Sequence, residues 1–128
     1  MALSRVFISF DYDNDARIKD FLVGQSRLGD TPFAIADFSI KVKSRDWLED
    51  ARKRIRSCDV VVILCGRNTD KADGVAIELQ LAREEGVDYF LLAGYSEGSI
   101  AKPVGALASD KVYKWTWDNL KRLIGGNR

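Results

Sequence analysis

Glu78 is the residue of this chain whose type and position point most directly to chemistry. It lies in the run Val75-Ala76-Ile77-Glu78-Leu79-Gln80-Leu81-Ala82, whose spacing predicts a helix over Val75 to Glu85 with Gly86 as its stop. At about 100° per residue, Gln80, Arg83 and Glu84 form a polar face. Glu78 falls inside the apolar arc instead, between Leu81 and Ala82 in angle. A mid-helix carboxylate on a packing face is costly to desolvate unless it has a partner or an opening. Either it reaches the edge of the core and pairs with a Lys or Arg, or it opens into a crevice as a functional carboxylate.

The other chemical candidates are fewer than usual. The chain has no histidine. That excludes Ser-His-Asp and Cys-His machinery, histidine acid–base work and the common zinc sites. Any catalysis rests on carboxylates, hydroxyls, Lys, Tyr or Cys. Cys58 closes a helix and Cys65 a strand, a spacing that reads as two buried thiols rather than a disulfide framework or a redox motif. Asp11 and Asp13 have the type for a metal site, but acids after a first strand are more often helix caps, and no metal is expected. Arg52-Lys53-Arg54-Arg56 reads as a solvated face near a helix C-terminus, with a phosphate or partner patch as the alternative.

Elements that alternate regularly must position these groups. Arg5 to Phe10 is a short apolar strand, and Asp11 to Asp15 a turn. A helix to about Val23 puts Ile18, Phe21 and Leu22 on one face, with Gly24 as its stop. Thr31 to Ala36 is a weaker strand, and Asp37 to Ser44 a polar loop. Arg45 to Arg56 is an amphipathic helix with Trp47, Leu48, Ala51 and Ile55 inward. Val60 to Leu64 lacks alternation, as a central parallel strand covered on both faces does. Gly66 to Asp73 is a loop, and Tyr89 to Ala93 another buried strand. Gly94 to Ser109 is a long loop, Lys111 to Tyr113 a short last strand, and Thr116 to Ile124 a helix capped by Thr116.

Strands alternating with single helices imply right-handed parallel crossovers. The expectation is a flavodoxin-like three-layer α/β/α sandwich with a five-stranded parallel sheet of order 2-1-3-4-5. Ligands of such sheets bind beyond the carboxyl ends of the strands, where the order reverses between strands 1 and 3. The loops facing that crevice are Ser9 to Asp13 and Gly66 to Gly74, with Asp37 to Ser44 beside it. A phosphoacceptor receiver of the same fold needs an Asp where this chain has Cys65. Neither a phosphate-binding GxxxxGK[ST] loop nor a dinucleotide GxGxxG is present.

A chain of 128 residues, 46% hydrophobic and 30% charged, fits one domain over residues 1–128 with one substantial core. Twenty basic against 19 acidic residues give no bulk attraction to nucleic acid. No apolar run reaches membrane-spanning length and no leader precedes the first strand, so a cytoplasmic protein is the expectation.

The chain resembles the TIR-like domains of bacteria and archaea, particularly those of Thoeris-type anti-phage signalling proteins. The resemblance covers about Arg5 to Ala93. It runs through Val6-Phe7-Ile8-Ser9-Phe10-Asp11, Asp37-Phe38-Ser39 with Trp47 opening the next helix, Ile55 to Thr69, and Val75 to Ala82. It implies the same flavodoxin-like fold. It also implies cleavage of the nicotinamide–ribose bond of NAD, a substrate rather than a cofactor, by hydrolysis or cyclisation to a nucleotide signal in anti-phage or stress defence. The implied catalytic acid is Glu78, with Phe10, Asp11, Ser39, Trp47, Asn68 and Thr69 near the nucleotide and Asp37 to Ser44 in self-association. Relatives often carry an aromatic residue just before the first Val of the catalytic helix, where this chain has Gly74. The alternatives are a non-catalytic TIR-like interaction module and an N-glycosidic enzyme similar to nucleoside deoxyribosyltransferases.

Overall fold

The computed structural model describes residues 3–29, 31–40 and 46–126. Five strands are present, β1 (Ser4–Ser9), β2 (Phe33–Phe38), β3 (Val60–Cys65), β4 (Asp88–Ala93) and β5 (Val112–Tyr113). The helices between and after them are α1 (Ala16–Ser26), α2 (Trp47–Arg56), α3 (Asp73–Glu84) and α4 (Trp117–Ile124). A 3-10 turn over Thr69–Lys71 precedes α3. All pairings are parallel and the order is β2-β1-β3-β4-β5, a flavodoxin-like sheet as the strand–helix alternation predicts.

Alternation along the strands builds two cores. Val6 and Ile8 of β1, Val60, Val62 and Leu64 of β3, and Phe90 and Leu92 of β4 face α1 and α4. There they meet Ile18 and Leu22, and Leu120, Leu123 and Ile124. Phe7, Val61, Ile63, Cys65 and Leu91 point the other way and meet Ala51 and Ile55 of α2 and Val75, Leu79 and Ala82 of α3. β3 is buried along its whole length, which is why its sequence shows no polar alternation. Each fully buried Leu, Ile or Phe contributes about 1.5–3 kcal/mol to this packing. Cys58 and Cys65 are both buried free thiols, and burial pushes the Cys65 thiol up to about 12.

Several local expectations change. β2 runs two residues further than expected, to Phe38, because Arg54 grips Asp37 and the Phe38 carbonyl, and Ser39 N–H donates to Ile8 O at 2.9 Å. A register shift between Val6 and Phe7 leaves Ala36 as the extra residue of the β1–β2 pair. α1 passes through Gly24 to Ser26. Phe21, expected inside, is 60% exposed, because the i, i+4 pair Ile18 and Leu22 takes the core-facing line of the helix. Leu48 is likewise exposed, since Trp47, Ala51 and Ile55 fill the buried stripe of α2. The start of α2 at Arg45 and the Lys41 to Ser44 part of the self-association segment lie outside the described residues.

Arg52, Arg54 and Arg56 of α2 are engaged within the fold, while Lys53 is exposed. Arg52 and Arg56 meet Glu85 at 2.8 and 2.6 Å, tying α2 to the end of α3. Among the described residues no helix is long and apolar enough to cross a membrane.

Candidate functional site

Two helices leave the sheet on opposite faces beside the β1–β3 boundary, so the carboxyl ends of these strands open into a cleft. A cavity of about 500 Å³ occupies it. Its walls come from Phe10 to Asn14 after β1, Ser39 and Ile40 after β2, Trp47 at the start of α2, and Asn68 and Lys71 to Val75 before and at the start of α3. Glu78 also lines it. Of the residues expected near a ligand, Phe10, Asp11, Ser39, Trp47, Asn68 and Glu78 share this cavity. Thr69 is not among its walls. It is fully buried, and its Oγ1 accepts the Gly66 N–H at 2.7 Å, which fixes the loop that carries Asn68.

Glu78 is 1% exposed. The cation pair expected of a bland core-edge acid is not what holds it: two hydroxyls do. Ser9 Oγ donates to Glu78 Oε1 at 2.7 Å, and Ser39 Oγ donates to the same oxygen in a short hydrogen bond. Ser9 reaches the acid because it lies two residues after Phe7 and therefore faces α3. Ser39 Oγ also accepts the Phe10 N–H at 3.1 Å, which leaves its one proton for Glu78. Both donors converge on Oε1, so Oε2 is the oxygen left for the cavity among the described residues. Burial pushes the Glu78 carboxyl up to about 7, against the pull of the Ser39 and Ser9 hydroxyls and of Arg54. Such an acid changes its charge near neutral pH.

The clamp on β2 supports this arrangement. Arg54 Nε donates to Asp37 Oδ2 at 2.7 Å, and its Nη2 donates to Asp37 Oδ1 and, at 2.6 Å, to Phe38 O. The fork holds the end of β2 against α2 and so sets Ser39 over Glu78. Burial works against the Asp37 charge, but the Arg54 hydrogen bonds outweigh it and hold the carboxyl below its usual range.

Asp11 builds its own loop: its carboxylate accepts the Asp13 N–H and the Asn14 side-chain amide, a turn ahead of α1 rather than the helix cap expected, since Asp15 is the N-cap residue and no side chain caps the helix. Among the described residues no group of three or more Asp, Glu or Cys side chains is gathered for a metal ion. At Gly74 an added Cβ would meet nothing within 4 Å, so the cavity is open where relatives of the resembled family place an aromatic ring.

Ser9 is expected only as the first residue of the crevice-facing loop after β1; its hydrogen bond to Glu78 is not legible, because it also reads as the end of an apolar strand. The signal available was a hydroxyl at the carboxyl end of β1, two positions from a core Phe. Asp15 was also missed. It is 3% exposed and accepts the Tyr95 hydroxyl at 3.2 Å, and burial pushes its carboxyl up. Its carboxylate fills the space where a side chain at Gly66 would be, which accounts for a glycine at the end of β3. A second, wider groove lies between α1 and β5, but no carboxylate lines it. No protein-family model and no curated protein matches the chain.

Proposed function

We propose that this protein is a TIR-like signalling enzyme that cleaves the nicotinamide–ribose bond of NAD at Glu78. The observation that carries the reading is a nearly fully buried carboxylate in the cavity wall at the switch point, held through one oxygen by Ser9 and Ser39 with the other left to a ligand. Nicotinamide leaves NAD as a neutral group from a cationic ring, so its departure needs no strong general acid. The ribose then carries oxocarbenium character, which an ionised carboxylate stabilises. Ser9 and Ser39 keep Glu78 oriented for that task, and the burial of its carboxylate strengthens its field.

The charges of the cavity suit the same substrate. Among the described residues, Asp11, Asp13, Asp73 and Glu78 line it, with Lys71 as the one cation. Such a wall attracts the cationic nicotinamide ring and disfavours the pyrophosphate, which is left to the mouth beside exposed Lys71 and Asn68. Attack by water on the ribose carbon gives ADP-ribose, whereas attack by a group of the same nucleotide gives a cyclic product. Self-association through the segment beginning at Asp37 belongs to the same reading, as does a role in anti-phage or stress defence within the cytoplasm.

The test is chromatography of products after incubation of purified protein with NAD at high protein concentration, and separately with a deoxynucleoside and an acceptor base. Release of nicotinamide supports the reading. Base exchange on deoxynucleosides with NAD intact would assign the same carboxylate to a deoxyribosyltransferase-like reaction. Self-association without turnover of either would leave an interaction module.

A further inference from the structure

Three aromatic side chains stand in the cavity wall, Phe10, Tyr12 and Trp47. Every aromatic residue of the chain lies among the described residues. Phe10 is 2% exposed and Trp47 7%, so both rings are taken up by packing and offer little face to a ligand. Tyr12 is 47% exposed. Its ring leans on Phe10, with centroids 6.2 Å apart and planes inclined by 28°. Lys19 Nζ in turn lies 5.6 Å from the centre of the Phe10 ring. The backbone around Tyr12 is pinned as well. The Asn14 and Asp15 N–H groups donate to Asp11 O at 3.3 and 2.8 Å, and the Asp11 carboxylate accepts the Asp13 N–H. A half-exposed ring is thus fixed before a ligand arrives, which lowers the ordering cost of stacking on it.

We infer that Tyr12 is a stacking platform for a heteroaromatic base, which on the NAD-cleaving reading above, where this assignment rests, is the adenine of NAD. Exposure decides between the two rings of that substrate. Glu78 is 1% exposed, at the inner end of the cavity, and the scissile bond must reach it. The nicotinamide ring, joined to the reacting carbon, is therefore held inside. Tyr12 is open to solvent and faces the outer part of the cavity, which leaves it the ring farther from the reaction. Stacking on the tyrosine face needs no hydrogen bond, so the ring matters and the hydroxyl is dispensable. Tyr12 then contributes to substrate affinity and selects dinucleotides over the mononucleotide half, without touching the chemical step.

The test compares wild-type protein with Tyr12→Phe, Tyr12→Leu and Tyr12→Ala. Phe keeps the ring, and Leu keeps an apolar contact with Phe10 while removing the ring, so a loss shared by Leu and Ala but not by Phe is not a folding effect. KM and kcat for nicotinamide release from NAD are measured, with ADP-ribose affinity by calorimetry and inhibition by nicotinamide mononucleotide, which lacks the adenosine half. The expected result is a KM for NAD raised about tenfold in Tyr12→Leu and Tyr12→Ala with kcat little changed, the loss typical of one stacked base. ADP-ribose affinity should fall by the same factor, inhibition by the mononucleotide should hold, and Tyr12→Phe should match wild type. Unchanged KM and ADP-ribose affinity in Tyr12→Leu and Tyr12→Ala would overturn the platform. So would a Tyr12→Phe variant as weak as Tyr12→Ala, which would assign the contact to the hydroxyl. An equal loss for the mononucleotide would move the ring contact to nicotinamide and overturn the adenine assignment. Each of these results leaves NAD cleavage standing. Wild-type protein that binds ADP-ribose in a Tyr12-dependent manner and releases no nicotinamide removes the cleavage reading and keeps the platform, whereas wild-type protein that does not bind ADP-ribose removes the platform.

Discussion

Glu78 couples the stability of the protein to pH in a direction that its surroundings set. Below about pH 4.5 the carboxyl is protonated in both the folded and the unfolded chain. As pH rises, the unfolded chain loses this proton first, and the folded protein keeps it until about pH 7. Stability therefore falls across that window, by about 3 kcal/mol from this one group. Glu78→Gln removes the titration, so the variant should gain about that much relative to wild type between pH 4 and pH 8, as read by urea unfolding at the two values. An equal pH response in both proteins would mean that the carboxylate is solvated rather than buried. The serines act on the same equilibrium. Ser39→Ala deletes one donor to Oε1 and should move the pH–rate profile for nicotinamide release upward, lowering the rate at neutral pH by about tenfold. A uniform loss of rate with an unmoved profile would assign Ser39 a purely structural role.

The loop between β3 and α3, and the first turn of α3, decide how a ligand is walled in. Thr69 fixes the loop through Gly66, and Gly66 itself is required by the Asp15 carboxylate. Gly74 has no such requirement, because open space surrounds the position of its missing side chain. Gly74→Trp should therefore fold normally and, by lining the open wall with a ring, lower KM for NAD about fivefold, as expected for one aromatic contact. A KM unchanged or raised in a protein of normal Tm would mean that the ring of the substrate lies elsewhere. This element also shows how the sequence could be read. The periodicity of Val75 to Ala82 exposed Glu78 as an acid on a buried face, and the structure places it there. Its partners were not legible, since Ser9 ends β1 and Ser39 follows β2, and the two meet Glu78 only through the parallel pairing of those strands. Phe21 misled because helical spacing defines a broad arc, and only the line through Ile18 and Leu22 touches the sheet.

At the scale of the whole molecule, the topology was legible because its signals are local and mutually consistent. Val60 to Cys65 is apolar without alternation, single helices separate the strands, and the parallel order 2-1-3-4-5 follows. The extension of β2 to Phe38 was hidden by the polar look of Asp37, whose charge is neutralised by Arg54 from α2, a contact that exists only in the folded chain. The same fold serves many chemistries, so the function rests on the cleft and not on the sheet. The most direct measurement pairs nicotinamide release by wild-type protein and Glu78→Gln with calorimetric binding of NAD to the variant. On this account wild-type protein releases nicotinamide, while the variant binds NAD with similar affinity and releases none. Release at the wild-type rate from Glu78→Gln would contradict it.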